Sequence, residues 1–158
     1  MDIKKEYEAL AKKYKLPDYE DLDREFELLY VMDIKEIKYV LRFIRRRIND
    51  KVAWACTMIQ SILQPNPGSL VNLQESNCFN SKDDKQKLFN LLREMMQVER
   101  KSLLLDIKSD EKGDAVFINE SYKQWSSFKN EISWIAEKMH KHWSTVQEEK
   151  KERDRYFG

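Results

Sequence analysis

Apolar residues recur every seven positions over long stretches of this chain, and no other feature restricts its fold as strongly. The last third of the chain carries two interleaved series of this kind. They consist of Ile118, Trp125, Ile132, Met139 and Val146, and of Ser121, Phe128, Ile135 and His142. This spacing places the side chains on one face of a helix, where they pack against neighbouring helices. The pattern predicts a long helix over residues 114–150 and, where it stops, a frayed tail over residues 151–158.

Two earlier stretches predict helices of similar length. In residues 33–64 a seven-residue apolar series begins at Ile34, and Asp33 followed by Glu36 resembles a capping box at the helix start. Residues 81–107 carry leucine, methionine and valine at the same helical spacing. The chain therefore contains three predicted long helices, each with one apolar face.

The connections between these helices have the composition of turns. Residues 65–80 begin with the sequence PNPG, which ends the preceding helix, and we expect an irregular connector packed on the long helices. Four apolar side chains favour that packing: Leu70, Val71, Leu73 and Phe79. In the later turn KSDEKGD, we expect Gly113 to adopt a positive φ.

Residues 1–32 predict two short amphipathic helices. Pro17 separates them, because proline disfavours helical geometry in the residue before it. The second helix is strongly acidic. Its carboxylates are Asp18, Glu20, Asp21, Asp23, Glu25 and Glu27.

Length and composition then determine the fold class. A chain of 158 residues has the size of one domain, and only 3 glycines and 3 prolines are too few for a many-stranded β protein. The 41% of hydrophobic residues is too high for a disordered chain. We predict a single all-α domain, an antiparallel bundle of three long helices with the two short N-terminal helices packed on it.

The sequence also predicts a cytoplasmic protein without a membrane anchor. The N-terminus MDIKKEYEAL lacks an apolar core of the kind found in signal peptides, and no stretch approaches the roughly 20 apolar residues that span a bilayer. Two cysteines without CxxC spacing are typical of a reducing compartment. The net charge of +1 gives no overall attraction to nucleic acid or anionic lipid, so an electrostatic function needs local charge segregation.

The run RFIRRRIN at residues 42–49 provides such segregation. On a helical projection most of its arginines, with two preceding lysines, point about 80° to 180° away from the apolar stripe. We call this set the basic ridge: Lys35, Lys38, Arg42, Arg45 and Arg46. One interpretation is internal pairing with the acidic residues 18–27, which a short connection would fold back onto the ridge. The alternative is binding of an anion or of nucleic acid, with each ridge residue facing solvent.

Arg47 projects to the other flank of the same helix. Aligning antiparallel helices over residues 33–64 and 81–107 puts Arg47 level with Glu99. Because an unpaired charge in the core is costly, we predict a structural Arg47–Glu99 ion pair. A ligand carboxylate or phosphate at Arg47 is the functional alternative.

Residues with catalytic or metal-binding chemistry are few. Glu137 and His140 have the spacing of a helical metal motif, but a ferritin-like centre needs a second such pair, and the only other histidine is His142. His140 and His142 point about 200° apart on a helix, so one zinc ion cannot easily take both, even with Cys78 nearby. We predict no enzyme, no cofactor and no bound metal, and keep a small-ligand or metal site at the connector end as the least favoured alternative.

The remaining signal is a surplus of apolar residues outside the helix seams. Trp134 and Met96 lie where a second subunit or a protein partner could cover them. The preferred interpretation is a non-enzymatic interaction or scaffold protein that binds a protein partner or forms a homodimer. The alternative is a nucleic-acid-binding accessory protein that uses the basic ridge.

Overall fold

The computed structural model describes the backbone of residues 3–28 and 39–157 and the side chains of residues 3–28 and 39–145. All regular structure in these residues is helical, which confirms the all-α class. The helices are α1 (Ile3–Tyr14), α2 (Tyr19–Phe26), α3 (Val40–Leu63), α4 (Leu70–Asn77), α5 (Lys82–Ile107) and α6 (Glu111–Phe157). None of the helices in the described ranges is both long and apolar enough to cross a membrane.

The chain divides into two compact units. The first consists of Met1–Cys56 and Arg93–Ser126, and the second of Thr57–Leu92 and Ser127–Gly158. The boundaries between them fall inside α3, α5 and α6. Each of the three long helices therefore contributes one part to each unit, whereas α1 and α2 belong to the first unit and α4 to the second.

The first unit holds α1 and α2 together around a buried tyrosine. α1 ends where Lys15 adopts a left-handed conformation, with φ 53°, just before Leu16 and Pro17. The Tyr7 hydroxyl donates a hydrogen bond to the Pro17 carbonyl over 2.5 Å, and its ring lies 5.6 Å from the Tyr19 ring. The predicted interruption at Pro17 is therefore present and also supplies a hydrogen-bond acceptor.

α2 packs on one flank of α3. Lys51 Nζ donates to the Glu25 carbonyl over 2.6 Å, and Arg47 Nη2 donates to the Glu27 carbonyl over 3.3 Å. Phe26 is buried, with its ring 5.3 Å from that of Trp125 in α6. The acidic helix thus covers the flank that carries Arg47 and Lys51, and its hydrogen bonds to α3 involve none of the described ridge residues Arg42, Arg45 and Arg46.

The core of the first unit follows the predicted apolar face of α3. Leu41, Ile44, Ile48, Val52 and Ala55 are each at most 2% exposed. The start of the predicted helix, with Asp33 and Ile34, lies outside the described residues, and α3 begins at Val40.

The second unit contains the connector, where the structure corrects the sequence analysis. An eight-residue helix, α4, replaces the irregular segment expected there. Its start is capped by Ser69, whose hydroxyl accepts the Asn72 N–H over 3.2 Å. Of the four apolar side chains expected to pack, Phe79 is fully buried, whereas Leu70 is 70% exposed and Val71 is 52% exposed.

α5 and α6 join through a shorter turn than the sequence indicates. α6 begins at Glu111, three residues before the predicted position, and continues to Phe157 through the predicted tail. The expectation of a positive φ at Gly113 is wrong, because this glycine lies within the first turn of α6. A Cβ at this position would lie 2.6 Å from Leu105 Cδ2. Gly113 thus permits close approach of α5 rather than an unusual backbone conformation.

Candidate functional site

Arg45, placed by the sequence analysis on the outward ridge, is completely buried in the first unit, at 0% exposure. Its Nε donates to Asp114 Oδ1 over 2.6 Å, and its Nη1 donates to the carbonyl and hydroxyl of Ser102 over 2.9 and 2.5 Å. Its Nη2 donates to Asp106. We call Arg45, Ser102, Asp106 and Asp114 the Arg45 cluster. The assignment of Arg45 to an anion-binding surface is therefore wrong.

The geometry of the first unit explains this error. A helical projection places Arg45 about 80° from the centre of the apolar stripe, close to its edge. Whether such a residue is buried depends on the neighbouring helices, which bring Asp106 from the end of α5 and Asp114 from the start of α6. A guanidinium tolerates burial when several acceptors satisfy its donors in a planar arrangement.

The two carboxylates of the Arg45 cluster have pKa values shifted in opposite directions. Burial raises the pKa of Asp114 above its usual value, and the hydrogen bond from Arg45 opposes this only in part. Burial also acts on Asp106, but hydrogen bonds from Arg45 and Arg46 outweigh it and lower the pKa. The difference follows exposure, since the Asp114 side chain is 5% exposed and that of Asp106 is 34% exposed.

Arg42 and Arg46, the other two ridge members among the described residues, contact their own chain at the same end of α3. Arg46 is exposed, and its Nε lies 3.0 Å from Asp106 Oδ1. Arg42 donates to the Ser109 hydroxyl, and its guanidinium lies 4.8 Å from the centre of the Tyr39 ring. The partners thus come from α5 and the turn that follows it, instead of from the acidic residues of α2. Two further ridge residues, Lys35 and Lys38, lie outside the described residues.

Arg47 and Glu99 have separate partners in place of the predicted pair. Arg47 Nη1 lies 3.6 Å from Asp50 Oδ2, one turn along α3. Glu99 Oε2 lies 3.7 Å from Arg100 Nη1, and the Glu99 carboxylate also acts on the pKa of the Cys56 thiol. Burial, followed by the charge of Glu99, raises the pKa of Cys56 to about 12, which makes this thiol a poor nucleophile at neutral pH.

The connector end, the least favoured candidate for a ligand site, lies in the second unit. His142 Nε2 lies 3.1 Å from Gln74 Oε1, and the Cys78 thiol is 3.6 Å from the Gln74 carbonyl. His140 is exposed. Burial raises the pKa of Cys78, which disfavours the thiolate that binds metals. Across residues 3–28 and 39–145, no three histidine, cysteine or acidic side chains form a group suited to a metal ion.

Trp134, which was expected to be covered by a second subunit or a protein partner, is covered in part by its own chain. Its ring lies 5.5 Å from that of Phe79 in an edge-to-face arrangement. Lys87 Nζ stands 3.8 Å from the centre of the Trp134 ring, and Lys138 Nζ stands 5.5 Å from it. Met96, the other candidate, is half-buried. Neither residue provides an open apolar surface.

An open apolar surface occurs elsewhere, on the α5 and α6 parts of the first unit. Four large aliphatic side chains there are 42% to 72% exposed. We call them the α5–α6 apolar face: Leu103, Leu104, Ile107 and Val116. This surface was not predicted, because consecutive leucines in SLLLDI point to different sides of α5 and the seven-residue spacing identifies only those on the packed side.

The first unit also contains an open cavity of about 330 Å³. Its wall combines α1, the start of α3 and the start of α6, and includes Glu6, Tyr39, Arg42 and Asp114. Glu6 and Arg42 each also carry one polar atom, Oε2 and Nε respectively, that is buried away from solvent and has no hydrogen-bond partner among the described residues. The sequence holds no sign of this cavity, because its wall joins residues that are more than 100 positions apart.

Comparison of the chain with protein-family models, with curated proteins and with solved structures gives no match.

Proposed function

We propose that this chain is a non-enzymatic helical interaction protein that self-associates through the α5–α6 apolar face. The observation that carries the proposal is the exposure of this face, with Ile107 at 72% and Leu104 at 57%. Single exposed leucines are common on protein surfaces, but clustered large aliphatic residues favour an interface. Burying them against another protein would remove apolar surface from water, which is the main favourable term in association.

The four residues of this face are expected to be contiguous. Leu103, Leu104 and Ile107 lie within about one turn of α5, on adjoining positions of the helix surface. Val116 belongs with them through an ion pair, since Lys101 of α5 contacts Glu120 of α6. Leu104 is one turn along α5 from Lys101, and Val116 is one turn back along α6 from Glu120. Antiparallel helices would therefore place Leu104 beside Val116.

The antiparallel bundle is part of the same proposal, as is its formation by a single domain. Contacts within each unit favour it, because residue numbers rise on one helix while they fall on its neighbour. For α3 and α5 the contacts are Arg42 with Ser109 and Arg45 with Ser102; for α5 and α6 they are Lys101 with Glu120, Asp84 with Lys138 and Lys87 with Glu131. Self-association of such a bundle would require no catalytic group.

Sedimentation velocity over a wide concentration range tests the proposal. We expect the wild-type chain to shift toward a dimer as concentration rises, and the double variant Leu104→Glu with Ile107→Glu to remain monomeric because each protomer would bring two charges into the interface. Gln97→Glu, an exposed position on the same helix, is the matched control and should dimerise normally. Circular dichroism checks that each variant is folded. A wild-type monomer at every concentration, or an unaffected double variant, would refute the proposal.

Fewer arginines are available for the nucleic-acid alternative than the sequence alone indicates. Arg45 is buried, and both Arg42 and Arg46 contact groups of their own chain. Phosphate contacts would have to compete with Ser109 and Asp106 for these guanidinium groups. No observation in the described residues favours this function over self-association.

A further inference from the structure

The stretch of chain that contains α4 carries almost no charge. Residues 52–81 include a single charged side chain, Glu75, although 36% of the whole chain is charged. Glu75 is half-buried, and its Oε1 accepts a hydrogen bond from the Trp143 indole of α6 over 3.1 Å. The one charge of this stretch therefore already has a partner in the second unit, and α4 has no other charge to offer a binding protein.

α4 contacts the second unit through polar groups and buries none of its eight residues. Gln74 Oε1 lies 3.1 Å from His142 Nε2, and the Ser76 hydroxyl donates to the Ile62 carbonyl over 2.7 Å. Its aliphatic side chains are exposed to solvent instead. We call them the α4 apolar face: Leu70, Val71 and Leu73.

The α4 apolar face has the composition of an interface centre. Leu70 and Leu73 are three positions apart, on one side of the helix, and Val71 follows Leu70. Charged residues are depleted at the centre of protein interfaces, and burying this face leaves no charge without a partner. In a twofold contact the same patch of two copies meets itself. Because this patch has no charge, such a contact brings no like charges together.

The size of the α4 apolar face restricts the kind of partner. Eight residues make a helix about 12 Å long, and three aliphatic side chains cover much less than the roughly 800 Å² per partner of a stable interface. Such a face binds a single partner only weakly. A dimer formed through the α5–α6 apolar face carries two copies of α4, so two dimers can join at two places. The second contact then forms between chains already held together, at millimolar effective concentration.

We propose that the α4 apolar face is a second self-association surface, which packs on the same face of another copy and joins two dimers into a tetramer. This inference rests on the proposed function, because the dimers are those formed through the α5–α6 apolar face. The two faces share no residue and belong to different units, so each can be altered without changing the other.

Sedimentation velocity of the full chain and its variants tests this assembly. We expect the wild type to pass beyond the dimer to a tetramer at the highest concentrations. Leu70→Glu with Leu73→Glu should stop at the dimer, because charges in the contact weaken the dimer–tetramer step about tenfold or more. The matched control is Ser127→Glu with Asn130→Glu, exposed positions at the same spacing on α6, which should form tetramers normally. Circular dichroism checks that each variant is folded.

The outcomes separate the two faces. A wild type that stops at the dimer, or a Leu70→Glu, Leu73→Glu variant that still forms tetramers, would overturn this inference and leave the proposed function intact. A wild type that is monomeric at every concentration would remove both.

An equal mixture of oppositely charged variants shows whether α4 meets α4. Leu70→Lys with Leu73→Lys should also stop at the dimer when it is alone, since like charges then face each other. Mixed with the glutamate variant, it should restore tetramers, because opposite charges meet across the contact. A mixture that remains dimeric would contradict a contact between two α4 apolar faces.

Discussion

The two units handle their cationic side chains in different ways. In the first unit, Arg45 is removed from water completely and donates hydrogen bonds to three residues of α5 and α6. In the second unit, Lys87 and Lys138 stay partly exposed, at 44% and 35% of their side chains. Each of these lysines lies near an aromatic ring and pairs with one carboxylate: Lys87 with Glu131, and Lys138 with Asp84.

This difference shows how burial changes the energetic role of a charge. A buried guanidinium is tolerated only when its donors and the partner carboxylates are all satisfied, so removing either member leaves an uncompensated charge. A lysine at the surface keeps its ammonium group hydrated while its aliphatic stem covers apolar surface. Removing such a lysine leaves no buried charge without a partner. Removing the buried Arg45 of the first unit should therefore destabilise the protein more than removing Lys87 or Lys138 of the second.

The largest expected effect is that of Arg45→Ala. This substitution strands the buried Asp114 carboxylate and should lower the free energy of unfolding by about 3–5 kcal/mol, measured by urea denaturation. The matched control is Arg46→Ala, which removes the next guanidinium from the same helix at an exposed position, 57% open to solvent. Its cost should be about 0–1 kcal/mol. Similar costs for the two variants would show that burial does not distinguish these arginines.

A smaller effect is expected for Lys87→Met and Lys138→Met in the second unit. Methionine retains an apolar stem against Trp134 and Phe79, so only the cation–π contact and the ion pair are lost. Each variant should lose about 0–1 kcal/mol of unfolding free energy in the same urea assay. A loss comparable to that of Arg45→Ala would mean that these ammonium groups support the aromatic cluster, and the contrast between the units would fail.

The smallest expected effect concerns how protein stability depends on pH through one carboxylate of each unit. Burial raises the pKa of Asp114 above 3.8, so its contribution to stability is present below pH 3.8 and is lost as the pH rises through the raised value. The hydrogen bond from Lys138 lowers the pKa of Asp84 below 3.8, so its contribution is present above pH 3.8 and is lost as the pH falls through the lowered value.

Urea denaturation of Asp114→Asn and Asp84→Asn between about pH 2.5 and pH 6 measures these contributions against the wild type. The stability difference between wild type and variant should fall with rising pH for Asp114 and rise for Asp84. Slopes of the same sign would contradict the environments described for these two groups.

The fold class was predictable because it depends on local patterns. Seven-residue spacing and the scarcity of glycine and proline predicted the helices, and the bounds of α5 agree with the prediction to within one residue. The capped helix α4 was not predicted, although Ser69 is a common type of capping residue, because PNPG indicated a turn and residues 65–80 were interpreted as irregular. The early start of α6 at Glu111 was missed because Gly113 was interpreted as a turn residue.

The candidate sites were far less predictable, and Arg45 shows why. By itself, the sequence determined that the chain is helical, that α3 has one apolar face, and that its arginines lie near the edges of that face. Only the tertiary structure decided which arginine is buried, which residues line the cavity, and which leucines of α5 stay exposed. Periodicity reports a direction relative to a helix axis, whereas burial and pairing depend on what the neighbouring helices bring to that side. Those neighbours, Asp106 and Asp114, are more than 60 residues away along the chain.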